Sequence, residues 1–216
     1  MHAVIINGSP RIKKFSNTDK ILEKFTEGFT ENGTTFEQYE VSDKKQWEDI
    51  RKAFYENTHI LIAIPLYVEC IPGLLLEFLE TLSPKNDETE IAFILQSGFA
   101  EGIQLRCGEA YLKILTKKLG CKYVGTLVKG DNFSIRWVEE GTAKRVTAPY
   151  TEMGREYAKN GGFESDKCKA FTGPEVFPFA IRVMLGFVFS VFAKSSFKKI
   201  AKGIGCTKPL DYRPYR

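Results

Sequence analysis

The sequence lacks the cysteine pattern of a metal site or a disulfide scaffold. Its five cysteines are scattered, and no two are spaced as CxxC; they are Cys70, Cys107, Cys121, Cys168 and Cys206. This spacing argues against a disulfide framework, a structural zinc site and an iron–sulfur cluster, so we expect no metal. Unpaired thiols are typical of a reducing compartment.

Histidines, nucleotide fingerprints and targeting signals are also scarce or missing. Both histidines, His2 and His59, stand at the start of strand-like runs, and we interpret them as structural, with no side chain predicted to be catalytic. Neither GxGxxG nor GxxxxGK[ST] occurs, which argues against a dinucleotide fingerprint and a P-loop. The amino terminus enters a strand directly, without the regions of a signal peptide, so we expect a cytoplasmic protein.

The charge has no strong bias. The 216 residues carry a net charge of +4, and lysine and arginine are spread along the whole chain. Nucleic-acid binders concentrate basic residues on one face, so we expect no nucleic acid as partner. A weakly positive surface suits anionic small molecules such as nucleotides.

Short apolar runs alternate with helical patterns. The runs at residues 3–6, 60–64 and 91–95, with weaker ones at 35–41 and 123–128, are typical of strands covered on both faces. Helical spacing occurs at residues 18–31, 47–57, 73–82, 107–119 and 147–159. This order predicts an α/β fold: a flavodoxin-like, doubly wound, five-stranded parallel sheet of order 2-1-3-4-5 in a domain of residues 1–162.

The remaining residues, 163–216, differ in character. Residues 176–193 are almost wholly apolar, and residues 194–202 are basic. Because apolar side chains fall on every face of a helix, we expect a helical extension that packs on its own domain or on a dimer partner. Two less favoured alternatives are a membrane span, which is at the short limit and would place the costly Arg182 inside a bilayer, and a peripheral amphipathic contact with a membrane through residues 176–202.

Three loops follow the first, third and fourth strands, whose carboxyl ends border the ligand crevice of an open α/β sheet. The first loop, residues 7–18, leads from NGSPR to SNT at a helix start. Its hydroxyls and amide, with the free N–H groups of the helix, form a cradle for a phosphate. The alternative is simple helix capping by Ser16 or Asn17.

The other two loops offer flat rings and backbone polar groups. The second loop, residues 65–73, reads PLYVECIPG, where Tyr67 presents a flat ring to an aromatic ligand or packs as part of a rigid turn. The third loop, residues 96–101, begins the run QSGFAEG, where Ser97 and Gly98 permit close approach of the backbone and Phe99 offers a ring.

Taken together, NGSPR with SNT, PLYVECIPG and QSGFAEG resemble the NADPH-dependent FMN reductase family over residues 1–130. The resemblance implies FMN as cofactor, NADPH or NADH as electron donor, a small-molecule acceptor and a homodimer. It implies that the FMN phosphate contacts Ser9, Arg11, Ser16, Asn17 and Thr18. It also implies that the rest of the flavin contacts Pro65, Leu66, Tyr67, Val68, Gln96, Ser97, Gly98 and Phe99.

Two other functions remain open on the sequence. A flavodoxin-type electron carrier would bind FMN without reacting with a nicotinamide, although such carriers are usually acidic. A membrane-associated, non-enzymatic module would make residues 176–202 the main feature. The sequence does not choose between flavin, quinone and other small acceptors, and it leaves open whether Cys70 has a redox role or fills a tight loop.

Overall fold

In the computed structural model, which describes residues 1–213 and 215, the chain divides into two compact units, Met1–Glu175 and Val176–Arg216. The first unit extends past residue 162, because the helix at Asp166–Phe171 belongs to it.

The first unit contains a five-stranded, all-parallel sheet. Its strands are β1 (His2–Asn7), β2 (Thr35–Glu40), β3 (His59–Pro65), β4 (Glu90–Gln96) and β5 (Lys122–Lys129). The strand order is β2-β1-β3-β4-β5, with Ile6 opposite Ile62 and Ile62 opposite Phe93. The predicted fold and strand order are confirmed, and each predicted strand lies within about a residue of its observed bounds.

Helices cover both faces of the sheet. The helices of the first unit are α1 (Asn17–Thr30), α2 (Trp47–Glu56), α3 (Gly73–Leu79), α4 (Arg106–Lys118), α5 (Glu140–Thr147), α6 (Pro149–Asn160) and α7 (Asp166–Phe171). One core lies between the sheet and α2, α3 and α4, where Ile50, Leu75 and Leu112 are buried. The other lies under α1, α5 and α6. Because side chains alternate along each strand, Ile6 faces the first core and Ile5 the second.

The sequence pattern missed two helices. Helices α5 and α7 have eight and six residues, which is too short for an amphipathic repeat to stand out. The predicted helix at residues 147–159 is α6, and it begins at Pro149, because proline fits the first helical position, where no N–H donor is needed.

The second unit contains one continuous helical segment. Helix α8 (Phe179–Val188) passes through a π-helical turn at Phe189–Ala193 into α9 (Lys194–Gly203). Within the described part of the chain, Phe179–Gly203 is the one helical segment long and apolar enough, by length and composition alone, to cross a membrane.

Candidate functional site

A cleft lies at the carboxyl edge of the sheet. Because all five strands are parallel, the loops that follow β1, β3, β4 and β5 converge at this edge. The residues that line the cleft are Ser9, Arg11, Phe15, Asn17, Thr18, Pro65, Leu66, Tyr67, Gln96, Ser97, Gly98, Asn132, Phe133, Arg136 and Trp137.

The first loop is shaped by a buried chain of hydrogen bonds. The side-chain amide of Asn7 donates to Asp19 Oδ2 at 2.9 Å, and Asn7 Oδ1 accepts from the backbone N–H of Ser9 at 3.0 Å. The Ser9 hydroxyl in turn accepts from the backbone N–H of Arg11 at 3.3 Å. Gly8 allows the close packing, because a Cβ there would lie 2.7 Å from Leu75 Cδ2. The loop is therefore held by the protein itself.

Two carboxyl groups lie behind this loop. Asp19 and Glu40 are within hydrogen-bonding reach of each other, and burial raises the pKa of both. For Glu40, burial and the neighbouring charge of Asp19 raise the pKa to about 7. Burial and the proximity of the two carboxyls therefore both disfavour negative charge beneath the loop.

Helix α1 presents its amino end to the cleft. The buried Ser16 caps it by accepting a hydrogen bond from Asp19 N–H at 3.2 Å. The N–H groups of Asn17 and Thr18 have no intrahelical acceptor, because they belong to the first turn. The Asn17 amide donates to the Asn132 carbonyl at 2.8 Å, which leaves Asn17 Oδ1 buried without a hydrogen-bond partner. The Asn17 Oδ1 atom, which can still accept a hydrogen bond, therefore lies at the edge of the cleft.

The second loop is a tight hairpin with a strained turn. Tyr67 and Cys70 exchange backbone hydrogen bonds at 2.9 and 3.1 Å. Between them, Val68 and Glu69 both have positive φ, 49° and 64°. A two-residue turn with positive φ at both positions favours Asn-Gly, and a β-branched residue is rare there. Backbone strain of this kind concentrates at functional sites.

The side chain of Arg11 connects the first two loops across the cleft. Arg11 Nε donates to Tyr67 Oη at 3.2 Å, and its guanidinium carbon lies 5.9 Å from the Tyr67 ring centre. Both side chains are exposed. The guanidinium keeps further donors free for an anion, because it carries five N–H groups.

The third loop is pinned to the loop after β5, residues 130–139. Backbone bonds run from Asn132 N–H to the Ser97 carbonyl at 3.0 Å and from Asp131 N–H to the Phe99 carbonyl at 2.9 Å. The loops pack so closely that a Cβ on Gly98 would lie 3.2 Å from Phe133 Cβ. The two loops therefore form one side of the cleft together.

Aromatic rings line that side. Phe133 and Trp137 lie 6.2 Å apart between ring centres, and the Arg136 guanidinium carbon lies 4.7 Å from the Trp137 ring centre. The same guanidinium lies 5.5 Å from the ring centre of Phe15 on the first loop. The three rings are 39–49% exposed, so they offer an apolar surface to a flat ligand.

Most of the predicted ligand-binding residues meet in this cleft. Those that line it are Ser9, Arg11, Asn17, Thr18, Pro65, Leu66, Tyr67, Gln96, Ser97 and Gly98. Three predicted residues do not: Ser16 is buried in its capping role, Val68 projects to solvent at the hairpin turn, and Phe99 is exposed beyond the lining.

Five lining residues were not predicted as ligands: Phe15, Asn132, Phe133, Arg136 and Trp137. The available signal was the aromatic and basic run NFSIRW directly after β5, because a loop after any strand of a parallel sheet reaches the same edge.

This chain matches one protein-family model, and many solved structures have a similar fold. The family model described as NADPH-dependent FMN reductase matches residues 1–132. No curated protein matches the chain.

Among solved structures, an NADPH-quinone reductase from P. pentosaceus is 16% identical, with 71% of this chain and 98% of that chain covered and a TM-score of 0.52. General stress protein 14 from Treponema denticola, solved in complex with FMN, is 11% identical, with 74% and 98% covered and a TM-score of 0.55. At these identities the structural likeness supports the fold alone.

Proposed function

This chain belongs to the NADPH-dependent FMN reductase family, and from that membership we propose that it is an FMN-dependent oxidoreductase that takes hydride from NADPH or NADH and reduces a flavin, a quinone or another small acceptor. The observation that carries the proposal is the cleft at the carboxyl edge of the sheet, where a helix amino end, an arginine and an aromatic wall meet.

The first loop suits the phosphate of FMN. The free N–H groups at the start of α1 and the Arg11 guanidinium supply donors and positive charge. Asn17 Oδ1 lacks a donor although it is buried, and a hydroxyl of the ribityl chain is a donor of the required kind. The residues present therefore fit the cofactor at its polar end.

The other loops suit the ring. Tyr67 faces the cleft from one side and Phe133 and Trp137 from the other, and aromatic faces favour stacking on a flat heterocycle. Gly98 permits a close approach of the third-loop backbone, whose polar groups can pair with the edge of a ring.

Bound FMN would supply the hydride and electron chemistry of the reaction. The residues of this chain would bind it, orient it and keep water from one of its faces. No protein nucleophile is needed. The exposed rings of Phe133 and Trp137 leave apolar surface at the cleft mouth, and we assign this surface to the nicotinamide or the acceptor.

The test starts from the absorbance of the purified protein. We expect a yellow protein, or one that becomes yellow with added FMN, whose flavin band bleaches anaerobically when NADPH or NADH is added and returns when a quinone is supplied. A protein that binds FMN but ignores both nucleotides would instead be an electron carrier. A protein that cannot be loaded with FMN would refute both functions.

We also propose a homodimer of the first unit. Sedimentation velocity on the FMN-loaded protein tests it, and a monomer at micromolar concentration would contradict it.

A further inference from the structure

The helical segment of the second unit, Phe179–Gly203, has two halves of different chemistry. The first half, α8 with the π turn, covers residues 179–193, and its polar side chains are Arg182 and Ser190. The second half, α9, carries four lysines within nine residues. The boundary between the halves is sharp, at Lys194.

The first half is apolar on every side and exposed. Phe179, Phe187 and Phe192 are 75%, 70% and 62% exposed. A helix on the surface of a soluble protein keeps one polar face, whereas a helix that is apolar all round needs apolar surroundings all round. Exposed apolar surface of this extent marks an interaction site.

The second half is amphipathic and cationic. At 3.6 residues per turn, Lys194, Lys198, Lys199 and Lys202 fall on one side of α9, and Phe197, Ile200 and Ala201 fall on the other. No aspartate or glutamate occurs between Glu175 and Asp211, so the helical segment 179–203 itself supplies no acidic neighbour for these lysines. An anionic surface would supply one.

We propose that residues 179–203 bind an anionic lipid bilayer by lying along one of its faces, with the apolar first half embedded at the boundary between headgroups and acyl chains and the lysines of α9 among the lipid headgroups. Lysines beside an inserted apolar helix strengthen binding to anionic lipid. Arg182 lies within the first turn or so of α8, where a long side chain can extend back to the interface.

The length of the apolar half favours a helix that lies along one face of the bilayer over a helix that crosses it. Fifteen residues of helix, 179–193, are about 22 Å long at 1.5 Å per residue, whereas the hydrocarbon core is about 30 Å thick. A crossing helix of about 20 residues would draw Lys194 and Lys198 into the hydrocarbon.

Charge also favours lipid over a second copy of this segment. Two copies packed in parallel would bring together two sets of lysines, which repel, and two copies packed antiparallel would place the lysines beside the apolar first half, which offers no acidic partner. Anionic headgroups neutralise the same lysines.

Flotation of the full chain with phospholipid vesicles tests the proposal. We expect the protein to float with vesicles of phosphatidylcholine and phosphatidylglycerol at 3:1, and at least tenfold less with phosphatidylcholine alone. Replacing Lys194, Lys198, Lys199 and Lys202 by glutamine should remove this preference. The matched control replaces the exposed first-unit lysines Lys45, Lys52, Lys117 and Lys118 by glutamine, removes the same charge, and should leave flotation unchanged.

A second variant separates insertion from surface attraction. With Phe187, Phe189 and Phe192 replaced by serine, flotation should fall at least tenfold with both vesicle types, while tryptophan fluorescence confirms that the first unit, which holds both tryptophans, stays folded. The proposal is overturned if the unaltered protein stays unbound to anionic vesicles. It is equally overturned if the phenylalanine variant only converts a dimer to a monomer.

Discussion

Large apolar side chains are mostly buried in the first unit of this chain and mostly exposed in the second. In the first unit, apolar side chains such as Ile5, Ile62 and Phe93 are buried, because helices cover both faces of the sheet. In the second, the phenylalanines of α8 are exposed. The difference shows that an apolar run predicts burial but does not identify the surface that buries it. In the first unit that surface is the rest of the chain, and in the second we propose that it is lipid.

The largest expected effect comes from adding one methyl group at a helix crossing of the first unit. A Cβ on Gly154 of α6 would lie 2.0 Å from the Phe25 carbonyl oxygen of α1. Gly154→Ala should therefore lower the free energy of unfolding by about 3 kcal/mol, measured by urea denaturation with tryptophan fluorescence.

The matched change in the second unit is Gly186→Ala, where a Cβ would meet nothing within 4 Å. This variant should keep the wild-type midpoint of the first unit, and helicity in α8 should rise slightly, since alanine favours helix over glycine by about 1 kcal/mol. Equal urea midpoints for Gly154→Ala and Gly186→Ala would contradict the contrast between a packed first unit and an exposed α8.

The next effect concerns the cleft, the part of the first unit that the chain leaves unfilled. Arg11→Ala should weaken FMN binding by about tenfold or more, because it removes charge-assisted hydrogen bonds; fluorescence titration of the flavin measures it. Lys14→Ala removes the same charge from an exposed position outside the cleft lining and should change the affinity less than threefold. If both variants bound FMN with the same affinity, Arg11 would contribute through its positive charge alone and not through hydrogen bonds to the cofactor.

A smaller effect should appear in the pH dependence of stability. Because the pKa of Glu40 is raised to about 7, the folded state holds a proton that the unfolded state releases near pH 4.5. The contribution of Glu40 to the free energy of unfolding is fully present below about pH 4.5 and is lost as the pH rises through 7.

Glu40→Gln should therefore be more stable than the parent at pH 8 by about 1 kcal/mol, a figure discounted because the carboxyl is partly exposed, and its stability should change less between pH 5 and 8. Chemical denaturation at several pH values measures this. An unchanged pH profile would mean that Glu40 ionises normally in the folded protein.

An effect of similar size to that of Glu40→Gln is expected at the strained hairpin. Replacing Val68 by Asn and Glu69 by Gly supplies the residues that positive φ favours and should raise the free energy of unfolding by about 1 kcal/mol. The thermal midpoint measures it. A lower midpoint would show that the parent residues make contacts worth more than the strain.

The sequence predicted the sheet well because each strand is a short apolar run bounded by turn residues, as at residues 60–64 and 91–95. It predicted most of the cleft because the three loops follow directly after such strands. Ser16 shows the limit of this reasoning, since a serine at a helix start serves equally as cap or ligand, and only the geometry shows the hydroxyl bonded to Asp19 N–H.

The order of apolar runs by itself determined the parallel sheet and the edge where its loops meet, because local periodicity and chain connectivity fix both. Tertiary structure alone decided that Phe133 packs on Gly98, that Asp19 lies beside Glu40 and that Arg11 reaches Tyr67. These contacts join residues far apart in the chain, and their distances depend on how the elements pack.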